Sequence, residues 1–136
     1  MRRLSKVQLL LVTMATVAVT VTSQNTQQGS TSIPNYNSAT EVRLQGVVLD
    51  AADHLCPISG GMGSHLILKT QNGTIEVHMG AAKFVKEYQL ILAKGDSVEV
   101  LGSRVIFEGR DAILAREITR GQETFVFRDA NGKPVW

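Results

Sequence analysis

One cysteine, Cys56, is all that the 136 residues contain. That excludes an internal disulfide, even in a compartment that would permit one. Aromatic residues make up only 5%, so a core has to be assembled from Val, Leu and Ile. A platform of aromatic rings for stacking nucleobases is also missing. Positive charge is scarce too, once the N-terminal residues are set aside. The chain holds 14 Lys and Arg against 12 Asp and Glu; three of the basic residues (Arg2, Arg3, Lys6) and no acidic one fall in residues 1–23, which leaves 11 against 12, net −1. The sequence pI near 8.9 is therefore largely a property of the first segment, and it gives no support for nucleic acid as a partner. No nucleophile–base pair, paired-carboxylate spacing or cofactor fingerprint is present. The glycine-rich stretch 59–63 lacks the Lys-Ser/Thr of a phosphate-binding loop. Enzymatic activity is not expected.

Long apolar runs are limited to one, Leu9 through Val21, preceded by Arg2, Arg3 and Lys6. It has the length of a signal-peptide core and is short for a membrane span. Val21-Thr22-Ser23 places small or modest residues where a signal peptidase reads, so residues 1–23 are expected to be a signal peptide cleaved after Ser23. An uncleaved N-terminal anchor is the alternative. No cysteine follows the run closely, so lipidation is not indicated. The expected location is the periplasm or the outside of a bacterial cell, with no membrane span after cleavage. Residues 24–40 are polar and nearly uncharged; such a stretch buries too little apolar surface to offset its ordering entropy and reads as a disordered leader.

The ordered domain is expected over 41–136, and its organising element is the stretch 64–80. Apolar and polar residues alternate there on both sides of Asn72-Gly73, a strong hairpin signal. A two-residue turn at that dipeptide sets Lys69 opposite Glu76, Leu68 opposite Val77 and Ile67 opposite His78. Leu66, Leu68, Ile75, Val77 and Met79 then share a core face. His65, Ile67, Lys69, Glu76 and His78 share the other, expected to be solvated. Before the hairpin, residues 42–49 read as a strand with Gly46 a bulge or kink, and residues 50–63 as a loop broken by Pro57 and glycines. After it, residues 81–90 have helical spacing through Phe84, Tyr88 and either Val85 or Ile91. Residues 97–107, 112–118 and 124–127 follow as strands. Strand, strand, strand, helix, strand, strand is the order of a mainly β, OB-fold-like barrel of five or six strands, with one short helix between strands three and four.

Four residues carry ligating chemistry: His54, Cys56, His65 and His78. Imidazole and thiolate suit zinc or copper. In the expected register His65 is a diagonal neighbour of His78, and the loop with His54 and Cys56 leads into the strand of His65. The spacing matches none of the tight zinc patterns, so the plain alternative is surface histidines and a free loop cysteine. Arg104, Arg116, Arg120 and Arg128 offer an anion-binding face, against which stand the nearby acids Glu99, Glu117 and Asp129. Asn72-Gly73-Thr74 matches a glycosylation acceptor, but the turn accounts for it.

The stretches 65–80, 94–105, 115–121 and 124–136 together resemble the C-terminal domain shared by the magnetosome proteins MamS and MamX, over about residues 41–136. The resemblance implies an exported, non-enzymatic OB-fold accessory module of the bacterial cell envelope, metal- or redox-related. MamX-type proteins also carry Cys-x-x-Cys-His haem-attachment motifs; this sequence has none, so an electron-transfer role does not carry over. The expected partner is another cell-envelope protein or a small polar ligand. A single-stranded nucleic-acid binder, common among OB-folds, is the alternative of another class.

Overall fold

A computed structural model describes residues 32–136; the expected signal peptide and the first part of the leader lie outside the described residues. Six strands form one sheet: β1 (Glu41–Cys56), β2 (Gly61–Thr70), β3 (Gly73–Ala81), β4 (Ser97–Phe107), β5 (Arg110–Arg120) and β6 (Glu123–Val126). A six-residue helix, α1 (Ala82–Glu87), follows β3. The pairings run in a cycle, β1–β2–β3–β5–β4–β1, with β6 added at β5. All are antiparallel except β3–β5.

Strand β1 makes this cycle possible because its two halves serve different neighbours. Residues 41–47 pair with β4 and residues 47–56 with β2. Gly46 sits just before the change of partner. A Cβ there would collide with the Lys69 carbonyl and the Leu68 side chain, so glycine is needed for close approach. The irregularity itself falls between Val48 and Asp50. The core face of the hairpin is as the alternation predicts: Leu66, Leu68, Ile75, Val77 and Met79 are all buried, together with Val48, Val98, Val100, Ile113, Ile118 and Phe127. Full burial of such a side chain stabilises by about 1.5–3 kcal/mol.

Several expectations change. The arm 50–56, expected as a loop, continues β1 and pairs with residues 61–67; only Pro57–Ser59 turns, closed by Gly60 at φ 72°. Its Asp- and Ala-rich sequence has no apolar alternation because the arm's side chains are exposed up to Cys56; the backbone ladder orders it. The hairpin closes two residues out of the expected register: Thr70 faces Gly73, Leu68 faces Ile75 and Ile67 faces Glu76. Gly73, at φ 113°, takes the turn's left-handed position instead of a central one. A shift of two keeps every side chain on its expected face. The helix is shorter than its pattern. No side chain caps it, Gln89 turns to φ 56°, and Leu90 and Leu92 leave the helical path to enter the core.

The segment before β1, expected to belong to the disordered leader, is ordered from Tyr36 onward. Asn37 caps a short 3-10 turn, Ser38–Thr40, and the Asn37 backbone N–H donates to Ser103 Oγ. Tyr36 packs on Gly132 and donates to Glu41 Oε1 at 2.5 Å. Opposite, the Trp136 ring covers Gly80, where a Cβ would meet it. Arg128 lies buried between these two aromatic residues, its guanidinium 5.7 Å from the Tyr36 centroid and 5.0 Å from that of Trp136. The other arginines of the expected anion-binding face each pair with their own acids: Arg104 with Asp111, Arg116 with Glu41 and Glu117, Arg120 with Asp96 and Glu123. They do not assemble into an anion-binding face.

Candidate metal centre

Cross-strand position brings His54, Cys56, His65 and His78 into one cluster on adjacent strands. The two-residue change of register puts His65 directly opposite His78 instead of diagonal to it, and the ladder slips by one only beyond that pair, between Ser64 and His65. The extended arm of β1 sets Ala52 opposite His65, so His54 and Cys56 continue along the same edge of the hairpin. Ser64 donates to Asp53 Oδ1 at 2.5 Å and ties the arm to β2. Gly63 leaves room for Cys56 and Ser59, whose side chains a Cβ there would strike.

The polar face of the hairpin was expected to be solvated, and around the two histidines it is not. His65 is 4% exposed and His78 2%, because the β1 arm folds over one side and Phe107 stands edge-on to the His78 ring at 5.5 Å on another. The His54 and His78 rings lie 4.0 and 4.2 Å from that of His65. Cys56 Sγ is 3.4 Å from His78 Nδ1. Glu76, one face position before His78, supplies the carboxylate: its Oε1 is 3.0 Å from His65 Nδ1, 3.7 Å from His78 Nε2 and 3.8 Å from His54 Nε2. Arg110 reaches its other oxygen at 3.8 Å. The cluster opens into a cleft of about 340 Å³ whose lining includes Phe107, Glu108 and Arg110. A larger, shallower cleft of about 870 Å³ is lined by Gln45, Lys69, Ser97 and Thr119; it holds no ligating cluster.

Both ring nitrogens of His65, and Nε2 of His78, are buried without a hydrogen-bond partner. The approach of His65 Nδ1 to Glu76 lacks hydrogen-bond geometry. A buried unpaired polar group costs roughly 1–3 kcal/mol. Protonation does not relieve this. Burial, and after it the neighbouring His65, pushes the His78 imidazole down to about 4. Burial and then His54 push His65 below its ordinary range, against an opposing pull from Glu76. Both rings are therefore neutral at pH 7, the form that donates a lone pair to a metal.

Two ligand sets result, each with one ligand atom per residue and all such atoms within 4.8 Å of one another: a buried set of Cys56, His65 and His78, and a rim set of His54, His65 and Glu76. Ligand atoms around a four-coordinate zinc stand about 3.3–3.8 Å apart, given metal–nitrogen and metal–sulfur distances of about 2.0–2.3 Å; the Cys56–His78 separation already has that value. All four residues singled out in the sequence meet here, divided between the two sets. Glu76 was missed as a ligand, although its place two residues before His78 on one strand face was visible.

No curated protein matches the chain. Among solved structures, it is similar to a chain in the crystal structure of TiaS in complex with an isoleucine tRNA, AMPCPP and agmatine, at 26% sequence identity and a TM-score of 0.45, with 69% of this chain and 21% of that chain covered. The present chain thus spans about a fifth of that protein's length. The model of the MamS/MamX magnetosome protein family matches residues 40–125, from the turn before β1 into β6, with all five residues of the cluster inside the match. The chain belongs to the MamS/MamX magnetosome protein family.

Proposed function

We propose that this protein is an exported accessory module of OB-fold type that binds one zinc or copper ion through Cys56, His65 and His78. The observation that carries the reading is the buried cluster itself: Cys56 Sγ stands at ligand-to-ligand distance from His78 Nδ1, and beside them both nitrogens of His65 lack a hydrogen-bond partner. A bound ion would supply a partner to one of the His65 nitrogens. It would also take a deprotonated Cys56 sulfur as its soft ligand. The OB reading is supported by the cyclic strand order with a parallel β3–β5 closure and a helix between β3 and β4. Export is supported by the basic start and apolar run of the N-terminus; among the described residues no helix is long and apolar enough to cross a membrane.

Binding is favoured over catalysis for a physical reason. Cys56 and His78 also have the contact of a nucleophile and its base. A histidine held near 4 is too weak a base to generate thiolate at neutral pH, whereas a neutral, unprotonated ring is what a metal requires. Metal analysis of the protein purified from the cell envelope should find close to one zinc or copper per chain, lost in Cys56→Ser. Cobalt added to metal-free protein should produce a thiolate-to-metal charge-transfer band that the same variant lacks. Metal-free protein as isolated, with no band on adding cobalt, would overturn the reading.

A further inference from the structure

The two ligand sets overlap at one residue, His65, and differ in depth and in chemistry. Cys56, His65 and His78 are all buried. In the rim set the His54 side chain is 51% exposed and the Glu76 side chain 22%. An ion from solvent meets His54 and Glu76 first, because they are the exposed members of the cleft's lining and Cys56, His65 and His78 are buried. Stripping every water from a divalent ion before it is bound would be prohibitive, so a buried site fills by exchanging ligands one at a time. The rim set offers nitrogen and carboxylate donors, which accept a partly hydrated ion. The inner set adds a thiolate, which holds zinc or copper more tightly.

We propose that the two sets are successive stations for a single ion: His54 and Glu76 capture it at the surface, and His65, common to both, carries it to Cys56 and His78. As the ion moves inward, bonds to His54 and Glu76 break, bonds to Cys56 and His78 form, and the thiol proton leaves to solvent. Oxidation states do not change. Release retraces the same steps, since a path open in one direction is open in the other. His54 therefore sets how fast the ion enters and leaves, and the inner triad sets how tightly it is held.

This inference rests on the metal-binding reading, and one experiment separates the two. Stopped-flow mixing of the metal-free full chain with cobalt follows the thiolate charge-transfer band; a chelator chase follows its loss. In His54→Ala, loading and release should both slow at least tenfold, while the band at saturation keeps its wild-type intensity. Glu76→Gln should slow loading in the same direction. His54 is exposed, so its variant is expected to fold, which circular dichroism checks. Wild-type rates in both variants would overturn the two-station route while leaving metal binding standing. A saturated His54→Ala protein without the band would place His54 in the inner site and likewise overturn it. Absence of the band in the wild-type chain would remove the metal-binding reading itself.

Discussion

Among the described residues, two places bury histidine or arginine side chains, and they solve the problem differently. At Arg128, 6% exposed, the chain provides its own partners: Tyr36 and Trp136 offer ring faces, and the guanidinium donates from Nη1 to the Gly132 carbonyl. Among its fully buried nitrogens, Nε lacks a partner. Burial pulls this guanidinium below its ordinary value, with Tyr36 pulling the other way, but an arginine stays charged regardless. The group thus works as a clasp that ties the segment before β1 and the C-terminus to one spot. At His65 and His78 the chain gathers donors of lone pairs and leaves them facing each other. A cluster closed by its own chain is structural; a cluster of unpartnered ligands is built for something from outside.

The largest effect that sharpens this contrast is expected at the clasp. Arg128→Ala should cost roughly 3 kcal/mol, from lost cation–π contacts, lost packing and an abandoned carbonyl. Urea unfolding would give the same loss with and without zinc. If zinc rescued this variant selectively, the two sites would be one system and the contrast would fail.

The next effect is acid sensitivity of the metal-free protein. The folded state holds His78 at about 4, against 6.5 for the free group, so between those values the unfolded chain binds more protons. Stability is therefore complete above about pH 6.5 and is lost as pH falls toward 4, by at most about 3 kcal/mol for this group. Unfolding measured in chelator across that window should show the slope in wild type and a weaker slope in His78→Leu. An equal slope in both would mean that other groups govern acid unfolding. The smallest effect is the cost of that variant at neutral pH. Leucine replaces a ring with one unpartnered nitrogen and one weak thiol contact by apolar volume, so metal-free stability should change by less than about 1 kcal/mol. A loss comparable to that of Arg128→Ala would show that His78 is already satisfied in the apo fold.

Much of the framework was legible because it is local. The alternation of Leu66, Leu68, Ile75, Val77 and Met79 fixed a face, and a register error of two residues left that face untouched. The four ligating residues could be named from side-chain chemistry alone. Their burial was not legible, because it comes from pairing across long sequence separations. The β1 arm has a loop-like composition and is ordered by β2, and Phe107 arrives from β4. The same two-residue change of register leaves no mark in periodicity, yet it turns the diagonal pair His65 and His78 into a direct one. Glu76 looked like an ordinary solvated strand residue until three imidazoles were seen around a single oxygen. Tyr36 hid in a polar stretch whose order depends on Gly132 at the far end of the chain.

The central claim is that the buried histidine–cysteine cluster is completed by a metal ion. Thermal unfolding of metal-free protein at pH 7.5, alone and with zinc at a hundred times its dissociation constant, tests it most directly. A ligand bound only by the folded state then adds about 2.7 kcal/mol, a rise in Tm of roughly ten degrees or more for a domain of this size. Cys56→Ser should remove that rise. Superimposable melting curves for the wild-type chain, with zinc in excess and without it, would contradict the account.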